Sequence, residues 1–137
     1  MDGLKHILIV EDDPALSSIL VKLFTAKECI TSHSSTVAGA LLAYDRTRPD
    51  AVLLDEMLAD GAGADVLKHI RTNDAFTPVV MMSARQDIVH ERLFQGADNY
   101  LTKPQAPETV CAYVFAAIRR AESHIFHLNP STLEGAA

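Results

Sequence analysis

Asp12, Asp13, Asp55, Ser83 and Lys103 are the residues whose types and spacing could do chemistry. Each stands where an apolar run breaks off. Ile7-Leu8-Ile9-Val10 runs into Glu11-Asp12-Asp13, Ala51-Val52-Leu53-Leu54 into Asp55, and Val79-Val80-Met81-Met82 into Ser83. Asn99-Tyr100-Leu101-Thr102 leads into Lys103-Pro104. Three carboxylates close together repel, and at pH 7 they stay ionised only beside a compensating cation. Oxygen-only ligands suit a hard divalent ion such as Mg²⁺, which binds through one or two carboxylates plus phosphate oxygens. Lys103 adds a fixed positive charge, and Ser83 a hydroxyl able to donate to an oxyanion. Metal, ammonium and hydroxyl around a carboxylate are the parts that stabilise a phosphoryl group attacked by that carboxylate.

The elements that must position these groups alternate along the chain. Continuous apolar runs rich in aliphatic residues predict strands buried on both faces of a parallel sheet. In such sheets, ligands bind beyond the carboxyl ends of the strands. Asp13-Pro14 supplies a helix N-cap followed by proline at the first helical position. Leu16, Ile19, Leu20, Leu23 and Phe24 then repeat at helical spacing over roughly residues 14–26. Residues 28–34 read as a short, polar edge strand. Ser35 or Thr36 caps a second helix that Arg48-Pro49 stops. The third strand covers residues 50–54, and Asp60-Gly61-Ala62-Gly63 is a turn before a helix marked by Val66, Leu67 and Ile70. The fourth strand follows Thr77-Pro78. A helix over 86–95 is ended by Gly96, a strand covers 98–102, and the last helix spans Pro107 to about Glu122. The expected fold is therefore α/β: a doubly wound, five-stranded parallel sheet, flavodoxin-like with strand order 2-1-3-4-5, and five helices.

Composition bounds the function. A chain of 137 residues, with 48% hydrophobic and 22% charged residues, suits one globular domain. A net charge of -6 argues against direct binding of nucleic acid or of an anionic membrane surface. Cys29 and Cys111 are few and far apart, as in a reduced compartment. The N-terminus has no apolar signal core, and no run approaches the ~18 apolar residues of a membrane span. The expectation is a soluble, cytoplasmic domain.

The ordered motifs carry a resemblance to the response-regulator receiver domain of two-component signal transduction. The matching segments are Ile7-Leu8-Ile9-Val10-Glu11-Asp12-Asp13, Val52-Leu53-Leu54-Asp55, Met82-Ser83-Ala84, Gly96-Ala97-Asp98 and Tyr100-Leu101-Thr102-Lys103-Pro104. The likeness covers residues 4–122, leaving 123–137 as a flexible tail. It implies that Asp55 is the phosphoacceptor for a histidine kinase or phosphotransfer protein. It makes Asp12 and Asp13 the acidic pair for Mg²⁺, with Asp55 and the Met57 backbone carbonyl completing the protein's ligands. It places Ser83 and Lys103 on the phosphoryl oxygens and makes Tyr100 an aromatic that swings inward when Ser83 is drawn to the phosphate. Pro104 resembles a cis-proline that orients Lys103. Such a protein is a switch rather than an enzyme: its own chemistry is phosphoryl transfer onto Asp55 and slow autodephosphorylation.

Three positions depart from the family pattern. Ala59 stands where a proline is usual, which predicts a looser loop, although Gly63 keeps its place. Glu56 replaces a commoner apolar residue, and strand alternation points it away from Asp55. Gln105 replaces a frequent phenylalanine. Other readings are weaker. An aspartate-nucleophile phosphohydrolase wants a second aspartate where Met57 stands. A flavodoxin-like binder wants a phosphate-cradling loop where this chain presents carboxylates. A degenerate receiver that works without phosphorylation would not need the full Asp, Ser and Lys set.

Taken singly, each site residue has an ordinary reading: an acidic helix start, a serine cap, a solvated lysine. The six histidines form no ligand pattern; His124 and His127 have helical spacing near the tail. The last helix has no charge from Val110 to Ile118. Val110, Val114, Ala117 and Ile118 are expected on the sheet, leaving Ala112, Tyr113 and Ala116 outward for a homodimer through the fourth helix, fifth strand and last helix. No helix-turn-helix follows, so regulation of transcription by this chain alone is not expected.

Overall fold

A computed structural model describes residues 3–128, with side chains to Ser123. The chain runs β1 (His6–Val10), α1 (Pro14–Ala26), β2 (Ile30–Ser34), α2 (Val37–Thr47) and β3 (Ala51–Asp55). A two-strand hairpin follows, β4 (Met57–Leu58) and β5 (Gly61–Ala62), and then α3 (Gly63–Asn73). The second half is β6 (Val79–Ser83), α4 (Val89–Phe94), β7 (Asn99–Thr102) and α5 (Pro107–Leu128). The main sheet has the order β2-β1-β3-β6-β7 with every pair parallel. This is the expected doubly wound, flavodoxin-like fold.

Side-chain alternation divides the core into two layers. Ile7, Ile9, Leu53, Val80, Met82 and Leu101 face one side, where Leu20 and Phe24 of α1 and Val110, Val114 and Ile118 of α5 cover them. Leu8, Val10, Val52, Leu54, Val79 and Met81 face the other, against Ala40 and Tyr44 of α2 and Val66, Leu67 and Ile70 of α3. β1, β3 and β6 are therefore apolar along Ile7–Val10, Ala51–Leu54 and Val79–Met82, because both faces are covered there. β2 is paired on one edge only and keeps polar residues.

Local signals set the boundaries. Asp13 caps α1, accepting from the backbone N–H of Ala15 and Leu16, with Pro14 at the first helical position. Thr36 caps α2 through the Gly39 N–H, and Arg48 ends it in the left-handed region. Gly96 has φ +110°, and a side chain there would strike Arg71. Arg71 uses that space, donating to the Gly96 carbonyl at 2.9 Å and to Asp98 at 3.0 Å, while Asp98 also accepts from the Val79 N–H at 2.7 Å. The Gly96-Ala97-Asp98 motif thus ties α3 to the entry of β6.

Two helices differ from expectation. α4 covers six residues rather than the ten expected over 86–95, because residues 84–88 run as a bend and turn after β6. α5 continues past Glu122 to Leu128, so the expected tail begins inside a helix. Residues 129–137, and the side chains of His124 and His127, lie outside the described residues. Val110, Val114, Ala117 and Ile118 are buried as expected, and Tyr113 is 40% exposed.

Candidate functional site

The site sits at the carboxyl ends of β1, β3, β6 and β7. Register explains the convergence: Val10 pairs with Leu54, Asp55 with Met82, and Ser83 with Thr102. The residues that end these strands are therefore neighbours whatever their distance in sequence. Asp55 closes β3 and is buried. The Met57 N–H reaches back toward its Oδ1 at 3.4 Å. The Lys103 Nζ stands 3.3 Å from Asp55 Oδ2 and donates to Glu11 Oε1 at 3.0 Å.

The acidic cluster is Glu11, Asp12 and Asp55, with one carboxylate oxygen of each within 4.8 Å of the others. The expected pair was Asp12 and Asp13; the carboxylate that stands beside Asp12 and Asp55 is that of Glu11. Asp13 turns its carboxylate onto its own helix, accepting from the Ala15 N–H at 3.0 Å and the Leu16 N–H at 3.4 Å. Glu11 takes the place in the cluster instead. It is fully buried and accepts from the Asp13 N–H at 3.1 Å as well as from Lys103. The signal was present in the sequence: an aspartate before proline at a helix start already has a use, and the residue directly after the strand remains free for the site.

The electrostatics are those of too many acids for one cation. Burial, and then the adjacent Asp55 carboxyl, push Glu11 above the ordinary carboxylate range, against the pull of Lys103 and the Asp13 N–H. Burial opposes the charge on Lys103, but Glu11 and Asp55 outweigh it and its pKa is raised. An all-oxygen donor set, two of its three members buried, with only one ammonium between them, fits a hard divalent cation.

The remaining expected residues line the same rim. Ser83 is buried, its Oγ accepting from the Arg85 N–H at 3.1 Å, and its carbonyl accepts from the Lys103 N–H at 2.8 Å. The Lys103–Pro104 bond is cis. Tyr100 is 8% exposed, so its ring is already inward. Its hydroxyl is sealed from water without a hydrogen-bond partner of good geometry, although Ser83 lies close enough to act on its ionisation. Burial is the larger effect there and raises the phenol's pKa.

The loop after β3 is fastened by means the sequence did not advertise. Ala59 falls at the turn of the β4–β5 hairpin. Asp60 next to it accepts from the Val37 and Ala38 N–H groups at 2.7 and 3.2 Å, pinning the turn to the start of α2. Gly63 donates to the Glu56 carbonyl at 2.6 Å, and a Cβ at Gly63 would stand 2.3 Å from the Asp55 carbonyl oxygen. A looser loop is not what the hydrogen bonds describe. Glu56 does point away from Asp55, as alternation requires, and pairs with Arg92 of α4 at 2.8 and 3.0 Å.

Residues 7–115 match the model of the response regulator receiver domain. The chain belongs to that family. A DNA-binding response regulator MtrA of Mycolicibacterium smegmatis is 38% identical over 125 residues, covering 89% of this chain and 54% of the relative. The transcriptional regulatory protein TrcR of Mycobacterium tuberculosis is 32% identical over 144 residues, covering 96% and 54%. The receiver therefore spans about half the length of the curated relatives it matches. Among solved structures, the signal receiver domain of a LuxO repressor protein from Vibrio parahaemolyticus superposes with a TM-score of 0.82 at 26% identity, over 90% of this receiver and 96% of that chain. Among the described residues, no helix of this receiver is long and apolar enough to cross a membrane.

Proposed function

We propose that this receiver accepts a phosphoryl group on Asp55 from a histidine kinase or a histidine phosphotransfer protein, and that the change it undergoes controls a partner or output domain. The observation that carries the proposal is the meeting of Asp55, Glu11, Asp12, Lys103 and Ser83 at four strand ends, with Lys103 3.3 Å from Asp55. In the reaction, an Asp55 carboxylate oxygen attacks phosphorus; the new O–P bond forms as the P–N bond of the phosphohistidine breaks, and its electron pair stays on the imidazole. Glu11, Asp12 and Asp55, together with the Met57 carbonyl, would hold Mg²⁺, which supplies positive charge to the transferring phosphoryl oxygens. Lys103 is drawn to Asp55 and Glu11 before transfer and turns to a phosphoryl oxygen after it. The Ser83 hydroxyl, one strand away, donates to another oxygen.

Incubation with Mg²⁺ and acetyl phosphate should add one acid-stable, base-labile phosphoryl group. Asp55→Asn should abolish it, because an amide oxygen is a far poorer nucleophile; undiminished labelling of that variant would sink the reading.

The finer steps follow from the same geometry. Drawing Ser83 toward the phosphoryl group moves residues 84–88, and Tyr100 and α4 respond together. The face of α4, β7 and α5 then serves association between two copies. Phe94 is 93% exposed there, and Tyr113 stands at the uncharged stretch of α5. Ala116→Glu should prevent that dimer by burying an unpaired carboxylate, without affecting phosphorylation. Sedimentation with and without beryllofluoride decides this: a wild type that stays monomeric in both states ends the dimer proposal and leaves Asp55 chemistry standing.

A further inference from the structure

α4 is held in an unusual way. Its buried side chain is a guanidinium, that of Arg92, whereas Leu93 is 40% and Phe94 93% exposed. A helix of six residues has little stability of its own, so tertiary contacts decide where it sits. The dominant polar contact is to Glu56, whose carboxylate is 2% exposed. Arg92 meets it through two parallel bonds, Nε to Oε1 at 2.8 Å and Nη2 to Oε2 at 3.0 Å, and uses Nη1 on Gln95 at 3.0 Å.

Glu56 is itself tied down by its backbone. Its N–H donates to the Met82 carbonyl at 2.9 Å, next to Ser83, and its carbonyl accepts from Gly63 at 2.6 Å. One residue beyond Asp55, the chain is thus fixed to β6 and α3 through its backbone, and to α4 through its side chain. Tyr100 lies beside the pair: the charges of Glu56 and Arg92 both act on its phenol.

We infer that Glu56 and Arg92 are positioning residues of the switch, a pair that holds α4 in the position described here and opposes its displacement when Asp55 carries a phosphoryl group. The inference rests on the receiver reading of Asp55. The physical reason is asymmetric cost. A buried bidentate pair is of little net value against apolar residues of similar size, but separating its members strands a charge in the interior. Any shift of α4 that carries Arg92 off Glu56 leaves a carboxylate buried without a counter-ion. Phosphorylation must supply that energy, so the pair sets how far the unmodified protein leans toward the displaced state.

The test replaces both members with apolar residues. Glu56→Met with Arg92→Met fills the space, removes the stranded-charge cost and keeps the fold, while Arg92→Met alone should be destabilised and rescued by adding Glu56→Met. Beryllofluoride binding in Mg²⁺, followed by fluorine NMR, should reach half-saturation at about tenfold lower fluoride-beryllium concentration in the double variant, as expected when a minor state becomes a major one. Amide exchange across residues 89–94 should quicken in parallel. Arg92→Lys, which keeps the charge but loses the fork, should tighten binding in the same direction by less and provides the same reading if the double variant does not fold. Half-saturation unchanged within twofold, or weaker binding, in the folded variants overturns the inference and leaves the pair as structural support. If the wild type fails to bind beryllofluoride, or Asp55→Asn binds it equally well, the receiver reading fails instead.

Discussion

Replacing Glu11 with glutamine and Asp13 with asparagine separates the two assignments of the acidic pair. Asparagine caps a helix about as well as aspartate, so Asp13→Asn should leave α1 capped and remove only a charge that faces its own helix. Glu11→Gln keeps an acceptor for the Asp13 N–H at 3.1 Å but withdraws one buried carboxylate from the cluster. Mg²⁺ at ten times its dissociation constant stabilises a protein that binds it only when folded by about 1.4 kcal/mol. For a domain of this length that amounts to a rise of about 5 °C in Tm. A site weakened tenfold by loss of Glu11 would retain about 0.4 kcal/mol at the same Mg²⁺ concentration, about 1 °C. Without metal, the folded state already disfavours the charged form of Glu11, so Glu11→Gln should be no less stable than wild type. Thermal melts of the three proteins with EDTA and with Mg²⁺ give all these values. Loss of the Mg²⁺ shift in Asp13→Asn, with the shift kept in Glu11→Gln, would refute the placement of Glu11 in the site.

Other expectations concern the supports of the site. Gly63→Ala should cost about 1–3 kcal/mol and slow phosphorylation, since its Cβ would stand 2.3 Å from the Asp55 carbonyl oxygen and the backbone must move; urea unfolding and acetyl phosphate labelling measure both. Asp60 is held below the ordinary carboxylate range by the Val37 and Ala38 N–H groups. Its contribution should be present above the unfolded-state value of about 4 and vanish as pH falls through the lower folded value, so the gap in urea midpoint between wild type and Asp60→Ala should be seen at pH 7 and close on acidification. The Cys111 thiol is pushed up to about 11 by burial, and Cys29 is raised for the same reason. Native protein should therefore react slowly with Ellman's reagent at pH 8 and quickly once unfolded; two rapid equivalents from the native state would contradict the buried placement of both.

What the sequence revealed, and what it hid, divides along the range of the forces involved. The strands were legible because burial on both faces demands uninterrupted apolar residues, and β1, β3 and β6 supply them. Helix starts at Pro14 and Val37 were legible because their caps are local, lying within three residues of the first turn. Asp55 and Ser83 end two of these strands and Lys103 follows β7, and parallel register brings the three to one rim. At Asp13 two local rules competed for one carboxylate, and in the structure it caps α1 while Glu11 joins Asp12 and Asp55. The shortened α4 was not legible at all. A helix was expected over 86–95, yet the helix covers Val89–Phe94, with Leu93 and Phe94 facing solvent and Arg92 facing inward.

That inversion has its cause 36 residues earlier. Glu56 is pointed by strand alternation to the α4 side of the sheet, where a carboxylate cannot remain without a cation. The helix that passes there must present one, and Arg92 is the residue that does so. Once Arg92 turns inward, the helical period carries Leu93 and Phe94 outward to solvent. Glu56, next to Asp55, thus accounts both for the inward guanidinium of α4 and for the outward placement of Leu93 and Phe94.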